Sequence, residues 1–336
     1  MKSEQQYNSI DLVKFIMSIV VIAIHTCPLI NCNNNIVLGI YNILASASVP
    51  FFFMAAGFLL SKKLTFTYVE EDISILKKYL YKIFKLYITW MVVYTPLSIY
   101  HSITVGDSFI RALLIYIKGL IFTGEQYNSW PLWYLLSTLY AVIVIIFAVK
   151  RNNALTSMVV ISILFLIVSI CIDWFVKQSV SMPYILVLIQ KLIRLSIADG
   201  RIFRGLIYIP MGIYLAHKPA GSFTNWILLL MGVLLKYFVN NVLGSIILAA
   251  MMMGLFGVVV NVKLKNNKIY LLLRNMSTII YFIHMYVWSV YYKVVYNKKT
   301  YGWDSFLVTT IVSVIIAFIY LKAMQAIRKS NAGAAV

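Results

Sequence analysis

Acidic side chains are scarce in this chain, with ten Asp and Glu among 336 residues, and cysteine is scarcer still, with three. Three cysteines cannot staple a disulfide scaffold, and no cluster of His, Cys, Asp and Glu has metal-ligand spacing. Cys27 and Cys32 flank a short loop in which oxidation is chemically possible, whereas Cys171 sits in an apolar run as a small hydrophobe. Charged residues make up 12% of the chain and hydrophobic ones 62%, which excludes an ordinary water-soluble fold and leaves no room for a sizeable soluble domain. No internal repeat of fixed period is visible, and no clear cleavage site follows the first apolar run, so Leu12 to Ile30 reads as a retained helix.

What the chain does have is apolar length. A hydrocarbon core of ~30 Å needs about 20 apolar residues per helix. Stretches of that kind predict helices near 10–30, 36–60, 84–104, 130–150, 154–176, 204–218, 222–238, 242–261, 272–294 and 305–326. The expected class is therefore all-α, a polytopic membrane bundle of about ten transmembrane helices. The sixth and seventh are short for full spans and are expected to be kinked or packed inside. Ile110 to Thr123 and Met182 to Ile197 read as interfacial or re-entrant helices. Residues 1–329 form one transmembrane domain on this reading, and 330–336 a flexible tail or linker.

The net charge of +19 comes from 29 Lys and Arg that lie mainly between the apolar runs. That is the distribution of helices held at a membrane surface, and nucleic acid is not an expected partner. With the N-terminus inside, 17 basic residues fall on the cytoplasmic side and 11 on the outer side, which supports a cell-membrane protein with both termini cytoplasmic. The segment 61–85 mixes Lys62, Lys63, Lys77 and Lys78 with Glu70, Glu71 and Asp72, and reads equally as a solvated surface helix or a ligand-binding one.

Ionisable groups inside a bilayer are costly and therefore informative. All ten acids fall at or beyond the predicted helix ends, against a proton-driven pump, and the deep groups are His25 and His284. His25 follows Lys14 by eleven residues, three helical turns plus about 20°, so the two share a face with ~16 Å between them along the axis. Asp11, three residues before Lys14, can pair with it. This geometry suits a ligand with an anionic head and a reactive tail, such as acyl-CoA. Lys14 would hold the head, and a neutral His25 would take a proton from an attacking hydroxyl. A hydrogen bond to another helix explains a membrane histidine equally well. His284, preceded by Ser277, Thr278 and Tyr281, would either orient an acceptor or make an interhelical bond. His101 and His217 lie near helix ends and carry no assigned role. Pro50, followed by Phe51 to Gly57, marks either a packing kink or a cavity wall.

The run Ile10 to Phe15 continuing to His25 and Thr26 resembles the first-helix motif of the membrane acyltransferase-3 family. Ser48 to Leu59 is similar to the second-helix signature, and Lys82, Ile83, Phe84, Lys85, Leu86 and Tyr87 to the basic start of the third. Trp133 to Leu136 resembles the fourth helix, and Ser277 with Tyr281 to His284 a late one. The resemblance implies ten core helices and transfer of an acyl group, often acetyl, from cytosolic acyl-CoA to a hydroxyl of an extracytoplasmic glycan or envelope molecule. It also implies His25 as the essential histidine with Thr26 beside it, Lys14, Lys82 and Lys85 on donor phosphates, and Arg204, Trp133, Tyr134 and His284 on the acceptor. Lys14 stands where the family usually has arginine, which keeps the charge but loses the bidentate fork.

Arg204 to Gly212 and His25 to Leu29 also resemble the membrane part of the vancomycin-resistance serine racemases, implicated in L-serine uptake. That resemblance implies a cytoplasmic racemase domain as a fused or separate partner.

Overall fold

A computed structural model describes residues 7–178, 182–197, 200–239 and 243–333. Lys2, Glu4 and Asp199, used above to read charge and sidedness, lie outside the described residues.

The described residues contain twelve α-helices and no strand. They are α1 (Asn8–Thr26), α2 (Asn35–Ser61), α3 (Val69–Val105), α4 (Phe109–Lys118), α5 (Trp133–Val149) and α6 (Ala154–Lys177), followed by α7 (Tyr184–Ser196), α8 (Arg204–His217), α9 (Ser222–Phe238), α10 (Leu243–Asn261), α11 (Lys268–Val295) and α12 (Trp303–Gly333). The ten predicted spans and the two predicted shorter helices all find a counterpart. Among the described residues, seven helices are long and apolar enough to cross a membrane: α1, α2, α3, α5 with the turn before it, α6, α10 and α12. Apolar side chains such as Ile163, Leu164 and Ile167 of α6 face outward, a surface that lipid solvates and water would not. The fold is all-α and polytopic.

Two boundaries differ most from expectation. The third helix begins at Val69 rather than near residue 84, and its 37 residues reach ~55 Å, beyond the hydrocarbon thickness. Glu70, Glu71, Lys77 and Lys78 exclude its first turns from lipid but not from helix. Buried Asp72 secures that start, accepting hydrogen bonds from the Thr65 and Phe66 backbone N–H groups at 2.8 and 2.7 Å. At the other end α12 runs to Gly333, so helix covers the first part of the expected tail, while 334–336 lie outside the described residues.

The chain divides into two compact units, Met1–Ser48 with Val259–Val336, and Val49–Val258. In the first, α1 packs against α11 and α12, and α11 against α12. Its core includes Ile22, Met276, Ile280 and Ala317. The side chain of Asn8 donates to the carbonyls of Leu264 and Lys265, tying the start of α1 to the segment before α11.

In the second unit α8 is the inner helix, packed on α5 and α6. At 14 residues it reaches only ~21 Å, and nine of those residues are buried, as expected for a short helix packed inside. Gly57 of α2 lies against the Ile209 backbone and Gly212 of α8 against that of Met54, approaches too close for any Cβ. The small residues after Pro50 therefore admit a neighbouring helix, the packing alternative of the sequence reading. Ser162 donates to the Ile207 carbonyl at 2.7 Å, and Ser137 accepts from the Gly205 N–H at 2.8 Å, fastening α6 and α5 to α8. Gln190 and Arg194 of α7 donate to carbonyls at the end of α6, which satisfies the open end of that helix.

Candidate functional site

Lys14, His25, Thr26, Asp11 and His284 all belong to the first unit. Asp11 is buried and Lys14 half-buried. The charges acting on Lys14 are the Asp11 carboxylate, which attracts it, and the Arg274 guanidinium of α11, which repels it. Arg274 had no role in the sequence reading, because only the packing of α11 on α1 brings it to Lys14.

Three turns further along α1, the half-buried His25 ring stacks on the His284 ring of α11, with centroids 5.4 Å apart and planes 27° from parallel. His284 is fully buried. Its Nδ1 lies 3.1 Å from the Ile280 carbonyl, which can only accept, so Nδ1 carries the proton and the neutral ring keeps its lone pair on Nε2. That Nε2 is buried with no hydrogen-bond partner among the described residues. A buried polar atom left in this state is costly, and a site that receives a ligand donor is one reason for it to persist. Ser277 and Thr278 do not supply that donor, since both hydroxyls bond to the Arg274 carbonyl, at 2.8 and 3.3 Å.

Thr26 is fully buried and bonded within its own helix to the Ile22 carbonyl at 2.8 Å, while its own carbonyl accepts from the Gly302 N–H at 2.8 Å. It holds the end of α1 on the segment before α12. Cys27 follows in the left-handed conformation (φ 46°) that ends the helix. Burial pushes its thiol pKa up, away from a poised nucleophile. Cys27 and Cys32 are both free thiols.

The remaining candidates belong to the second unit and form two groups. Lys82 and Lys85 are exposed one turn apart on α3, in line with Lys78, and the Lys85 ammonium lies 4.9 Å from the Tyr81 ring centroid. Arg204, exposed at the start of α8, places its guanidinium 5.6 Å from the centroid of the Trp133 ring. Trp133 in turn contacts Phe53 at 5.8 Å, and Tyr134 packs on the same Phe53 at 4.6 Å. The structure thus brings Arg204, Trp133 and Tyr134 together. Beside them Arg201 pairs with Glu125 at 3.3 Å, a contact between segments 76 residues apart that the sequence reading missed. His101 stacks on Tyr127 at 3.8 Å and His217 meets Phe66 edge-on at 5.0 Å, so ring packing, not solvation alone, accommodates these two histidines.

A family model described as an acyltransferase domain matches residues 7–322. The chain belongs to the acyltransferase-3 family. The match covers both units, and with the long apolar helices it makes the chain a multi-pass membrane protein of that family. Two curated relatives from Enterococcus faecalis, each described as an amino-acid racemase, share 28% identity over 167 residues and 32% over 127. Those segments cover 50% and 37% of this chain but 22% and 17% of the racemases, so the chain spans about a fifth of the length of the curated relatives it matches. No solved structure matches.

Proposed function

We propose that this protein is an acyltransferase that moves an acyl group, in the first instance acetyl, from cytosolic acyl-CoA to a hydroxyl of an extracytoplasmic glycan or envelope molecule, with both termini of the chain cytoplasmic. The observation that carries the reading is the stack of His284 of α11 on His25 of α1, the helix that also bears Lys14. Lys14 engages a donor phosphate, with Asp11 positioning it, and Lys82 and Lys85 offer a pair of exposed cations within the second unit. His284 Nε2 accepts a hydrogen bond from a neighbouring hydroxyl of the acceptor, and His25 removes the proton of the attacking hydroxyl as its oxygen attacks the thioester carbonyl. The carbon–sulfur bond breaks, the new ester forms, and the imidazolium returns the proton to the departing CoA thiolate. General-base catalysis of this kind contributes roughly 10²–10⁴-fold. Within the second unit Arg204, Trp133 and Tyr134 offer a cation and two aromatic faces, suited to a sugar or a small polar molecule.

Binding of acetyl-CoA to wild type, Lys14→Ala and His25→Ala tests the division of labour. The reading expects binding lost with Lys14 and kept without His25. Binding lost in His25→Ala but kept in Lys14→Ala contradicts it.

A second reading is supported by the two amino-acid racemase relatives. In it the chain is a membrane part that takes up L-serine for a cytoplasmic racemase domain, fused or separate. Uptake of labelled L-serine by reconstituted vesicles, without acetyl-CoA binding, favours this reading; acetyl-CoA binding without uptake removes it.

A further inference from the structure

Where α11 begins and α12 approaches its end, the first unit has a cavity of about 280 Å³. Lys268, Ile269 and Leu272 of α11 line it together with Leu321, Lys322 and Gln325 of α12. Both lysines are exposed. Leu272 and Leu321 also pack on the buried cluster of Ile22, Met276, Ile280 and Ala317, so the inner wall is continuous with the core of the unit.

This end of the unit is strongly basic. Lys263 and Lys265 precede α11, Arg274 follows within it, and Arg328 lies beyond Lys322 on α12. Helix α11 carries no acid, and the acid of α12, Asp304, is at the opposite end. On α12, Phe318, Ile315 and Ile311 continue the stripe of Lys322 toward the middle of the helix, all with exposed side chains. The Lys322 ammonium sits 5.4 Å from the Phe318 ring centroid. A cationic mouth above an outward apolar stripe has the polarity of a phospholipid, anionic at one end and hydrocarbon at the other. The volume is at the lower end of small-molecule sites, ~300–1,000 Å³, and suits a phosphodiester headgroup better than a whole nucleotide.

We propose that this cavity holds the headgroup of an anionic phospholipid. Lys268 and Lys322 contact the phosphate, Gln325 hydrogen-bonds a headgroup oxygen, and an acyl chain lies along Phe318, Ile315 and Ile311. This site is separate from the donor and acceptor groups assigned above and does not depend on the reaction.

The test is retention of phosphatidylglycerol, against phosphatidylcholine, by the full chain in mild detergent, read by native mass spectrometry. Wild type is expected to retain phosphatidylglycerol selectively. Lys268→Ala/Lys322→Ala should lose at least tenfold of that retention, as should the single reversal Lys322→Glu, whose exposed position keeps folding intact. Lys268→Arg/Lys322→Arg and the nearby Lys263→Ala/Lys265→Ala should stay within twofold of wild type. Equal retention of both lipids, or an equal loss in the two alanine pairs, overturns the proposal, because basic surface charge alone then accounts for binding. Displacement of the lipid by acetyl-CoA, with acetyl-CoA binding itself lost in Lys268→Ala/Lys322→Ala, also overturns it and makes the cavity a donor-phosphate site.

Discussion

His25 and His284, 259 residues apart in sequence, stack face to face within one unit at a centroid separation of 5.4 Å. The Ile280 carbonyl fixes the His284 tautomer. The pair therefore presents one half-buried imidazole beside one buried lone pair, an arrangement in which one ring can hold a hydroxyl of the acceptor while the other deprotonates its neighbour.

His284→Ala removes the hydrogen-bond acceptor but not the base. A hydrogen bond of this kind contributes about 1 kcal/mol, so the acceptor KM should rise roughly five- to tenfold, with the donor KM unchanged. Steady-state kinetics with each substrate varied in turn separates the two effects.

Lys14 stands between an attracting Asp11 and a repelling Arg274. Lys14→Ala should raise the acetyl-CoA KM about ten- to hundredfold, while Lys14→Arg should match or improve on wild type because the guanidinium adds a bidentate fork. Asp11→Asn should weaken donor binding less than Lys14→Ala. Isothermal titration with acetyl-CoA ranks the three.

The Arg204 guanidinium lies over Trp133. An exposed cation–π contact is worth about 0.5–1 kcal/mol, so Trp133→Leu should weaken acceptor affinity by several-fold and leave donor binding intact. An acceptor KM that responds to Arg204→Gln but not to Trp133→Leu would assign the guanidinium a role independent of the ring.

Gly57 and Gly212 allow the backbones of α2 and α8 to meet. A Cβ at either position overlaps the facing backbone, so Gly57→Val or Gly212→Val should destabilise the protein by several kcal/mol, in the range of overpacked cores. The midpoint of thermal unfolding in detergent should fall clearly, whereas a substitution on the lipid-facing side of α6, such as Ile163→Val, should leave it nearly unchanged.

The long apolar helices were legible because lipid imposes a length and a polarity on any segment that crosses it. The start of α3 was not, since Glu70, Glu71, Lys77 and Lys78 remove the lipid signal without breaking the helix, and Asp72 stabilises that start through Thr65 and Phe66. Within the candidate site, Lys14 and His25 were readable from their spacing on one helix. The stack of His25 on His284, the approach of Arg274 to Lys14 and the Arg201–Glu125 pair were not, because each joins distant segments whose proximity is set by helix packing. The same holds for Gly57, where the pattern of small residues announced a close approach but not that α8 makes it.

The most direct test is the rate of CoA thiol release from acetyl-CoA when a cell-envelope fraction is added to the purified protein, compared between wild type and His25→Ala. Both proteins must elute as the same monodisperse species and bind acetyl-CoA within twofold of each other. The account predicts an envelope-dependent rate at least about a hundredfold lower in His25→Ala. Equal rates in the two proteins would contradict it and remove His25 from the chemistry.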